Sequence, residues 1–406
     1  MINFIKNNKL FVRMTGINFL SKIGDNLFYT AMLSAAILLP NSKLAVLIVS
    51  ISESLPILIS IFFGVIADKQ KGKINQLIGS SLFRSLMYIC IGIIFRYPQS
   101  LLLLLLASFM NLLSDISGNY ATALFSPFTK AMIAPQDMET AQGFVSVGTQ
   151  LVAVFATFIG SLLLTIYSKS MLAIINASIF LLIAFLYYLL KPSLKAQGFK
   201  IKSFTNTKTL SIVKENLTSF ISNHSLLINL IQLAMLNGFF GGQTPLFALF
   251  IEENNQLNIL SNPFKIALLS GIITLSMILG SSLTTYILKK QSIFHINILS
   301  DCFIVIIAMT YLYNNIWGIL VGNSCLAFLL GIVSPRFSAN VINQYPVDRL
   351  GGVITVINAF LVIIPPLTSV IFPMISTINL KLAYICFIAY ALILIIISVL
   401  INKMAK

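Results

Sequence analysis

The chain has 406 residues, of which 58% are hydrophobic and only 9% are charged. A soluble domain carries roughly 25% charged residues, so this composition excludes an ordinary water-soluble protein and predicts a chain surrounded largely by lipid. The net charge of +15 does not indicate nucleic-acid binding in this setting, because Lys and Arg gather in the cytoplasmic loops of membrane proteins. Membrane lipids are therefore expected as partners, and nucleic acid is not.

Twelve apolar segments follow one another along the chain, and each approaches the roughly 20 residues that a helix needs to cross a membrane. They cover approximately residues 14–38, 44–66, 74–95, 99–121, 140–166, 170–190, 225–250, 265–288, 295–313, 316–335, 350–376 and 379–401. The first segment is too long for a signal-peptide core and lacks a convincing cleavage site, so we interpret it as an uncleaved first helix.

The longest polar interruption divides these segments six and six. It covers residues 191–223 and is basic, as expected for a linker that faces anionic lipid. Ser126-Pro127 is echoed by Ser334-Pro335, and Gly143 by Gly351, both at an offset of 208 residues, which indicates an internal repeat. We predict an all-α membrane protein of about 12 transmembrane helices in two pseudo-symmetric bundles, with an N-terminal bundle at 1–190, a linker at 191–223 and a C-terminal bundle at 224–406.

The distribution of basic residues predicts the orientation in the membrane. With both termini inside, 19 of the 26 Lys and Arg residues lie on the inner side and five on the outer side, while Lys22 and Arg84 lie within helices. Such an excess on one side is the usual mark of the cytoplasmic face. We therefore expect both termini and the 191–223 loop to be cytoplasmic.

Cysteine and histidine give no sign of metal or redox chemistry. The four Cys lie in apolar runs without a CxxC spacing, and the two His are far apart, so neither a disulfide, a metal site nor a cofactor is expected. A membrane-embedded lipid-modifying enzyme would need His, Asp or Cys clustered at one membrane face, which the scattered acids do not provide. A phosphate-binding glycine loop is also lacking, so we predict a protein that is not an enzyme and is not driven by ATP.

The turn after the second predicted helix carries a recognisable motif. Its sequence resembles the loop signature G-x-x-x-D-[RK]-x-G-[RK]-[RK] of the major facilitator superfamily, through Gly64, Asp68, Lys69 and Lys73. Lys71 stands where the second glycine is expected, and Gly72 follows one place late. With Gly24-Asp25 in the first helix and Pro365 in the eleventh, the chain is similar to the drug-exporter branch that includes macrolide efflux proteins and the enterobactin exporter.

This resemblance implies a secondary active transporter that works by alternating access in a bacterial inner or plasma membrane. It implies a monomer that exports amphipathic small molecules, drug-like or macrolide-like, in exchange for protons. The fifth helix departs from the antiporter pattern G-x-x-x-G-P, because Phe155–Ser161 contains no proline. An importer or facilitator of the same fold therefore stays open as an alternative.

Ionisable residues inside the helices are the candidates for proton coupling. Such a residue costs roughly 2.5–3.5 kcal/mol even on lenient insertion scales, so it is expected to face a cavity or a partner. The candidate carboxyl groups are Asp25, Glu53 and Asp115. Asp25 is the first choice for coupling, although Lys22 one turn away could simply pair with it. Arg84 is interpreted as a structural partner of Glu53 or Asp115, which leaves Glu53 open between a proton site and a structural role.

Polar residues at helical spacing predict a pocket for the substrate. In the superfamily, helices one, four, seven and ten line the central path, and the resemblance implies the same here. The pocket candidates are Asn26, Tyr29, Asn111, Gln150, Asn237 and Gln243. Near the last of these, Gly241, Gly242 and Pro245 predict a bendable segment.

The loop signature predicts a gate. In the family this loop braces the two halves on the cytoplasmic side, so the resemblance implies a gating role for Gly64, Asp68, Lys69 and Lys73. The alternative is that Asp68 only caps the third helix, since a carboxylate at a helix N-terminus interacts favourably with the exposed N–H groups there.

Overall fold

The structure is a computed structural model and describes residues 2–69, 72–134, 137–196, 224–254, 256–283, 291–344 and 347–404. Within these ranges the regular structure is helical. The helices are α1 (Ile2–Asn7), α2 (Lys9–Ala36), α3 (Ser42–Lys69), α4 (Lys73–Ile94), α5 (Leu101–Met132), α6 (Met138–Ile166), α7 (Lys169–Ala196), α8 (His224–Glu253), α9 (Asn262–Ser282), α10 (Ile293–Leu312), α11 (Ile316–Gln344), α12 (Val347–Ile378) and α13 (Leu380–Met404).

Helices α2 to α13 correspond in order to the twelve apolar segments predicted from the sequence. Of the described helices, ten are long and apolar enough to cross a membrane. Helix α2, at 28 residues, is also long enough but carries Lys9, Arg13, Lys22 and Asp25, and α6 contributes the shorter apolar stretch Leu151–Ile166. The predicted all-α fold of about 12 transmembrane helices is confirmed.

The chain separates into two compact units. One comprises Met1–Thr205 with Leu260–Ala267, and the other comprises Asn206–Ile259 with Leu268–Lys406. Helix α7 continues to Ala196, so the first residues of the predicted 191–223 linker are helical, and the remainder, from 197 to 223, lies outside the described residues. The bundle boundaries predicted at 190 and 224 stay predictions.

Glycines let the first and fifth helices of each half pack closely. A Cβ added to Gly160 on α6 would lie 2.9 Å from the carbonyl oxygen of Leu27 on α2. In the second unit, a Cβ on Gly241 of α8 would lie 2.5 Å from the carbonyl oxygen of Pro365 on α12. Close backbone approach at small residues is a common packing mode in membranes. Gly241 was expected in a bendable segment, but α8 is continuous there and the glycine serves helix packing.

The repeated Ser-Pro pairs lie inside helices rather than after them. Ser126-Pro127 falls within α5 and Ser334-Pro335 within α11, because both helices run several residues past the apolar part of the sequence. A proline removes one backbone hydrogen bond, which membrane helices tolerate when neighbouring groups satisfy the freed carbonyl. The two pairs keep equivalent positions in the fourth and tenth membrane helices.

Candidate functional site

Four helices of the first unit bring their ionisable residues together in one place. Asp25 comes from α2, Glu53 from α3, Arg84 from α4, and Asn111 and Asp115 from α5. We call these five residues the polar cluster. The sequence predicted each carboxyl group separately as a coupling candidate, and the structure brings all three into one group joined by hydrogen bonds and ion pairs.

Arg84 lies at the centre of the polar cluster and is only 2% exposed. Its Nη2 forms an ion pair with Oδ1 of Asp25 and lies 3.9 Å from Oδ1 of Asp115. On its other face, the guanidinium carbon lies 3.9 Å from the centroid of the Phe180 ring, within the range of a cation–π contact. The buried cation is thus compensated by acids from two helices and by an aromatic face from α7.

Hydroxyl groups complete the hydrogen bonds of the guanidinium. Nε of Arg84 donates to Oγ of Ser114 at 3.2 Å, and Nη1 donates to Oγ of Ser21 at 3.0 Å. A Cβ added to Gly118 would lie 2.8 Å from Nη1, so the absence of a side chain on this turn of α5 makes room for the guanidinium. The fixed fork of donors on arginine suits a site that holds it from several sides.

Asn111 connects the remaining two carboxylates. Its Nδ2 donates to Oε1 of Glu53 at 3.0 Å and to Oδ2 of Asp115 at 2.9 Å. Its Oδ1 accepts from the hydroxyl of Tyr88 at 3.1 Å, and Asn111 itself is 1% exposed. A neutral amide therefore ties α3 and α5 together, and a change of charge on either acid alters the hydrogen bonding of the other.

Exposure increases across the cluster from Arg84 outward. The side chain of Arg84 is 3% exposed and that of Asp115 is 14% exposed, whereas Asp25 and Lys22 reach 24% and 29%. Nζ of Lys22 lies 3.6 Å from Oδ2 of Asp25. Arg84 thus forms the buried end of the site, while Lys22 and Asp25 form its more exposed end.

The charges of this site do not cancel when every group is ionised. Three acids face two cations, Arg84 and Lys22, which leaves one negative charge in excess. Asp25 has both cations as partners and Asp115 has Arg84. Among the described residues, no cation lies within ion-pair distance of Glu53, whose hydrogen-bond donor is the neutral Asn111. Arg84 was predicted to pair with Glu53 or Asp115, so its pairing with Asp25 was not anticipated.

The predicted pocket residues have different surroundings. Asn26 and Asn237 are half-buried and donate to backbone carbonyls of their own helices, those of Lys22 and Leu233. Tyr29 is half-buried, and Asn111 belongs to the polar cluster. Gln243 is fully buried and its Nε2 donates to the hydroxyl of Tyr311 on α10 at 3.4 Å. The side chain of Gln150, on α6, lies outside the described residues.

The loop signature is arranged differently from the predicted cap. Asp68 and Lys69 belong to the last turn of α3, so Asp68 does not precede α4 as the cap interpretation required; Gly64 lies in the same helix, and the side chains of these three residues lie outside the description. Gly72 precedes α4 with φ of +71°, a conformation that glycine adopts without strain. This explains why the glycine comes one place late, directly before Lys73, which is buried.

One buried acid was missed at the sequence level. Asp301, on α10 in the second unit, is 0% exposed and accepts hydrogen bonds from Gln232 on α8 and Ser398 on α13. It lies in the middle of the ninth apolar segment, where a single acid among aliphatic residues is itself the signal. The family resemblance does not assign this helix to the central transport path, so Asp301 was not among the predicted candidates.

A family model supplies the classification. The model of the Major Facilitator Superfamily matches residues 14–369, which is most of the chain. The chain belongs to the Major Facilitator Superfamily. It is thus a multi-pass membrane transporter for a small-molecule substrate rather than an enzyme. No curated protein sequence matches the chain, so the macrolide and enterobactin exporter branch stays a prediction.

Solved structures share the fold of this superfamily member at low sequence identity. The nucleoside transporter NupG has a TM-score of 0.66 and 13% identity, covering 97% of this chain and 99% of that chain. A bacterial homologue of the iron transporter ferroportin has a TM-score of 0.70 and 13% identity, covering 97% and 98%. A bacterial homologue of the human lysosomal transporter Spinster has a TM-score of 0.69 and 12% identity, covering 97% and 96%. Their substrates differ, so the likeness describes the fold alone.

Proposed function

We propose that this chain is a secondary active transporter that exports amphipathic small molecules in exchange for protons. The polar cluster is the observation that carries the proposal. Three carboxyl groups and two cations share one site, so a single proton removes the excess negative charge. Ionisable groups in a membrane interior are costly and generally functional, and a group that gains and loses one proton couples transport to a proton gradient.

Glu53 is the carboxyl group best suited to take this proton. Asp25 and Asp115 both face Arg84, and a nearby cation stabilises the charged form of a carboxyl group. Glu53 faces the amide of Asn111 instead, and the described residues place no cation at ion-pair distance from it. Because Asn111 donates to Asp115 as well, protonation of Glu53 shifts the hydrogen bond toward Asp115 and changes how α3 is held against α5.

In this mechanism Arg84 acts as a fixed charge. It faces Asp25 and Asp115 and stays in place through Ser21, Ser114 and Phe180, while Glu53 is the proposed group that changes charge. Protons reach the site through its exposed end at Lys22 and Asp25. Proton loading and release then bias the alternating access of a site near the membrane midplane, the mechanism common to transporters built from repeats.

Export, the substrate class, the monomeric state and the bacterial plasma membrane rest on the sequence resemblance. Oriented membrane vesicles test them together, with ethidium as a hydrophobic cation and erythromycin as a macrolide. Everted vesicles with an acidic lumen should accumulate a probe when they contain the protein, and a protonophore should abolish the accumulation. Vesicles from cells without the protein serve as the control. Accumulation in right-side-out vesicles in the direction of proton entry would instead identify an importer.

A further inference from the structure

The second unit contains a carboxyl group in fully buried surroundings. Asp301, at the middle of α10, is 0% exposed, as are Gln232 on α8 and Ser398 on α13. Nε2 of Gln232 donates to Oδ1 of Asp301 at 3.0 Å and to Oδ2 at 3.2 Å. Oγ of Ser398 donates to Oδ2 at 3.4 Å. Three helices thus meet at one carboxyl group whose partners are both neutral.

Within the described part of the chain, no basic residue compensates this carboxyl group. Among the described residues, no Lys, Arg or His forms an ion pair with Asp301. The titratable group within electrostatic reach is Tyr390 on α13, and its hydroxyl donates to the carbonyl of Met235 at 2.7 Å.

The other charged side chains on the helices packed against α10 lie near helix ends. At a rise of about 1.5 Å per residue, Glu252 and Glu253 on α8 are about 30 Å along the helix from Gln232. On α13, Lys381 is about 25 Å from Ser398, whereas Lys403 in the last turn is only about 8 Å from it along the helix. His224, the first residue of α8, is about 12 Å along the helix from Gln232. The side chains of Lys403 and His224 lie outside the described residues. Arg336 on α11 donates to the carbonyl of Gln291, just before α10 begins. On α10 itself, His295 is bonded to the capping Ser292. Neutral titratable groups on these helices are Cys302, Tyr311, Cys325, Tyr384 and Cys386.

An unpaired oxygen beside Asp301 indicates a missing donor. Among the described residues, Oε1 of Gln232 is buried without a hydrogen-bond partner, and so is Oδ1 of Asn297, one turn before Asp301 on α10. A buried acceptor without a donor costs about 1–3 kcal/mol, and an unpaired buried carboxylate costs considerably more. One proton on Asp301 removes the charge of the carboxylate and also supplies a donor for Oε1 of Gln232. A carboxylic acid can donate to the amide oxygen while it accepts from the amide nitrogen.

Equivalent helices of the two halves build this site and the centre of the polar cluster. In the first unit, the first, third and sixth membrane helices contribute Asp25, Arg84 and Phe180. In the second unit, the corresponding helices contribute Gln232, Asp301 and Ser398. The first arrangement balances its acid with a buried cation. The second has an acid and, among the residues that the structure describes, no cation at ion-pair distance, so a proton can supply the balancing charge.

We propose that Asp301, Gln232 and Ser398 form a proton-binding site of the second unit, in which protonated Asp301 donates to Oε1 of Gln232. This pairing requires the Gln232 side chain to reorient so that Oε1 faces the acid hydrogen while Nε2 faces the other carboxyl oxygen. The site is defined by a bound proton and does not depend on the proposed transport function.

Infrared spectroscopy of the reconstituted full-length protein tests the site. At neutral pH the wild type should show the carbonyl stretching band of a protonated carboxyl group, and Asp301→Asn should lose that component. Asp137→Asn, which changes an exposed carboxyl group, is the matched control and should retain it. An unchanged band in Asp301→Asn, or loss of the wild-type band when choline chloride is replaced by sodium chloride, would overturn the proposal. The second result would indicate a sodium site.

A chemical label keeps the test independent of how well the variant folds. Dicyclohexylcarbodiimide reacts with protonated carboxyl groups in apolar surroundings, so it should label the wild-type peptide that contains Asp301 and leave the Asp137 peptide unlabelled. Mass spectrometry reads both peptides from one sample. Labelling of Asp301 should decline as the pH is raised. A wild-type protein that has neither label on Asp301 nor an infrared band that depends on Asp301 at neutral pH would contradict the proposal, whatever the outcome of the transport assay.

Discussion

Arg84 and Asp25 form an ion pair between α4 and α2, and the guanidinium group lies 3.9 Å from the centroid of the Phe180 ring on α7. One side chain therefore links the first, third and sixth membrane helices of the first unit. Since Arg84 is 2% exposed, water cannot replace a partner that is removed. The stability of the unit and the charge state of the polar cluster consequently depend on the same residue.

Removing the cation should destabilise the protein. Arg84→Leu leaves Asp25 and Asp115 without their buried partner, and breaking such a pair costs about 3–5 kcal/mol. We expect a lower yield of monodisperse protein and a lower melting temperature by fluorescence-detected size exclusion. Neutralising Asp25 as well should restore part of the loss, because an uncompensated charge is the costly species. Equal losses in Arg84→Leu and in the double variant would show that the ion pair is not what stabilises the site.

The space beside Arg84 gives a second prediction. Gly118→Ala places a Cβ 2.8 Å from Nη1 of Arg84, so the guanidinium must shift, and we predict that this weakens its ion pairs at a cost of about 1–3 kcal/mol. Gly79→Ala on α4 is the matched control, since a Cβ there meets no atom within 4 Å. Both substitutions replace glycine by alanine within a helix, so they increase helix propensity by the same amount. Thermal unfolding should therefore show Gly118→Ala below Gly79→Ala, and equal melting temperatures would mean that the guanidinium adapts freely.

The number and order of the membrane helices could be predicted from the sequence because twelve apolar runs each match the thickness of a bilayer. The ends of the helices were harder to predict from the sequence. Helix α5 continues through Ser126 and Pro127 to Met132, since hydrogen bonding continues where hydropathy falls. In the same way, α3 extends through Asp68 to Lys69. Asp68 therefore does not cap the N-terminus of α4, which was the alternative role predicted for it.

The members of the polar cluster were predictable, and so were the Lys22–Asp25 and Arg84–Asp115 ion pairs, whereas the Arg84–Asp25 pair was not. An ionisable residue in an apolar run is visible in the sequence, as Asp25, Glu53 and Asp115 show. Which acid contacts Arg84 depends on how four helices are rotated relative to one another. The spacing of residues in the sequence shows which of them share a face of one helix, but it does not show how separate helices are oriented. Asp301 shows a second limit of prediction from the sequence. It is fully buried, but it lies on a helix that the family resemblance does not assign to the central transport path.

The loop signature predicts a gate at Asp68. Asp68→Asn keeps the size of the side chain and removes its charge, so membrane insertion should be normal while transport falls sharply. Asp137→Asn removes a carboxyl group at an exposed position, so it is the control for the loss of one negative charge elsewhere on the chain. Transport assays at matched protein amounts measure the effect. Full transport by Asp68→Asn would remove the gating role, since the end of α3 already excludes a cap of α4.

The excess of basic residues on one side predicts that both termini are cytoplasmic. Green fluorescent protein fused after Lys406 should fluoresce, and alkaline phosphatase at the same point should be inactive, because each reporter works on one side of the bacterial membrane. A sandwich fusion within 197–223 should give the same result as the C-terminal fusion. Active phosphatase at Lys406 would reverse the orientation and with it the assignment of the loop signature to the cytoplasmic side.

The last prediction separates the two leading carboxyl groups of the polar cluster. Glu53→Gln keeps a hydrogen-bonding partner for Asn111 and removes the acid that lacks a cation, so gradient-driven uphill transport should be lost while downhill movement of the probe remains. Asp25→Asn leaves Arg84 short of a partner, so it should lower yield and melting temperature first. Both variants are compared in proteoliposomes at verified protein amounts, with ethidium or erythromycin as the probe, whichever the wild-type vesicles accumulate.

Glu253→Gln is the matched control for this comparison, because it makes the same chemical change at an exposed position near the end of α8. It should retain uphill transport and yield. If Glu53→Gln keeps full uphill transport while Asp25→Asn folds normally and loses it, the proton belongs to Asp25 despite its two cations. The excess charge would then be removed at the exposed end of the site, beside Lys22, and Glu53 would be a structural acceptor for Asn111.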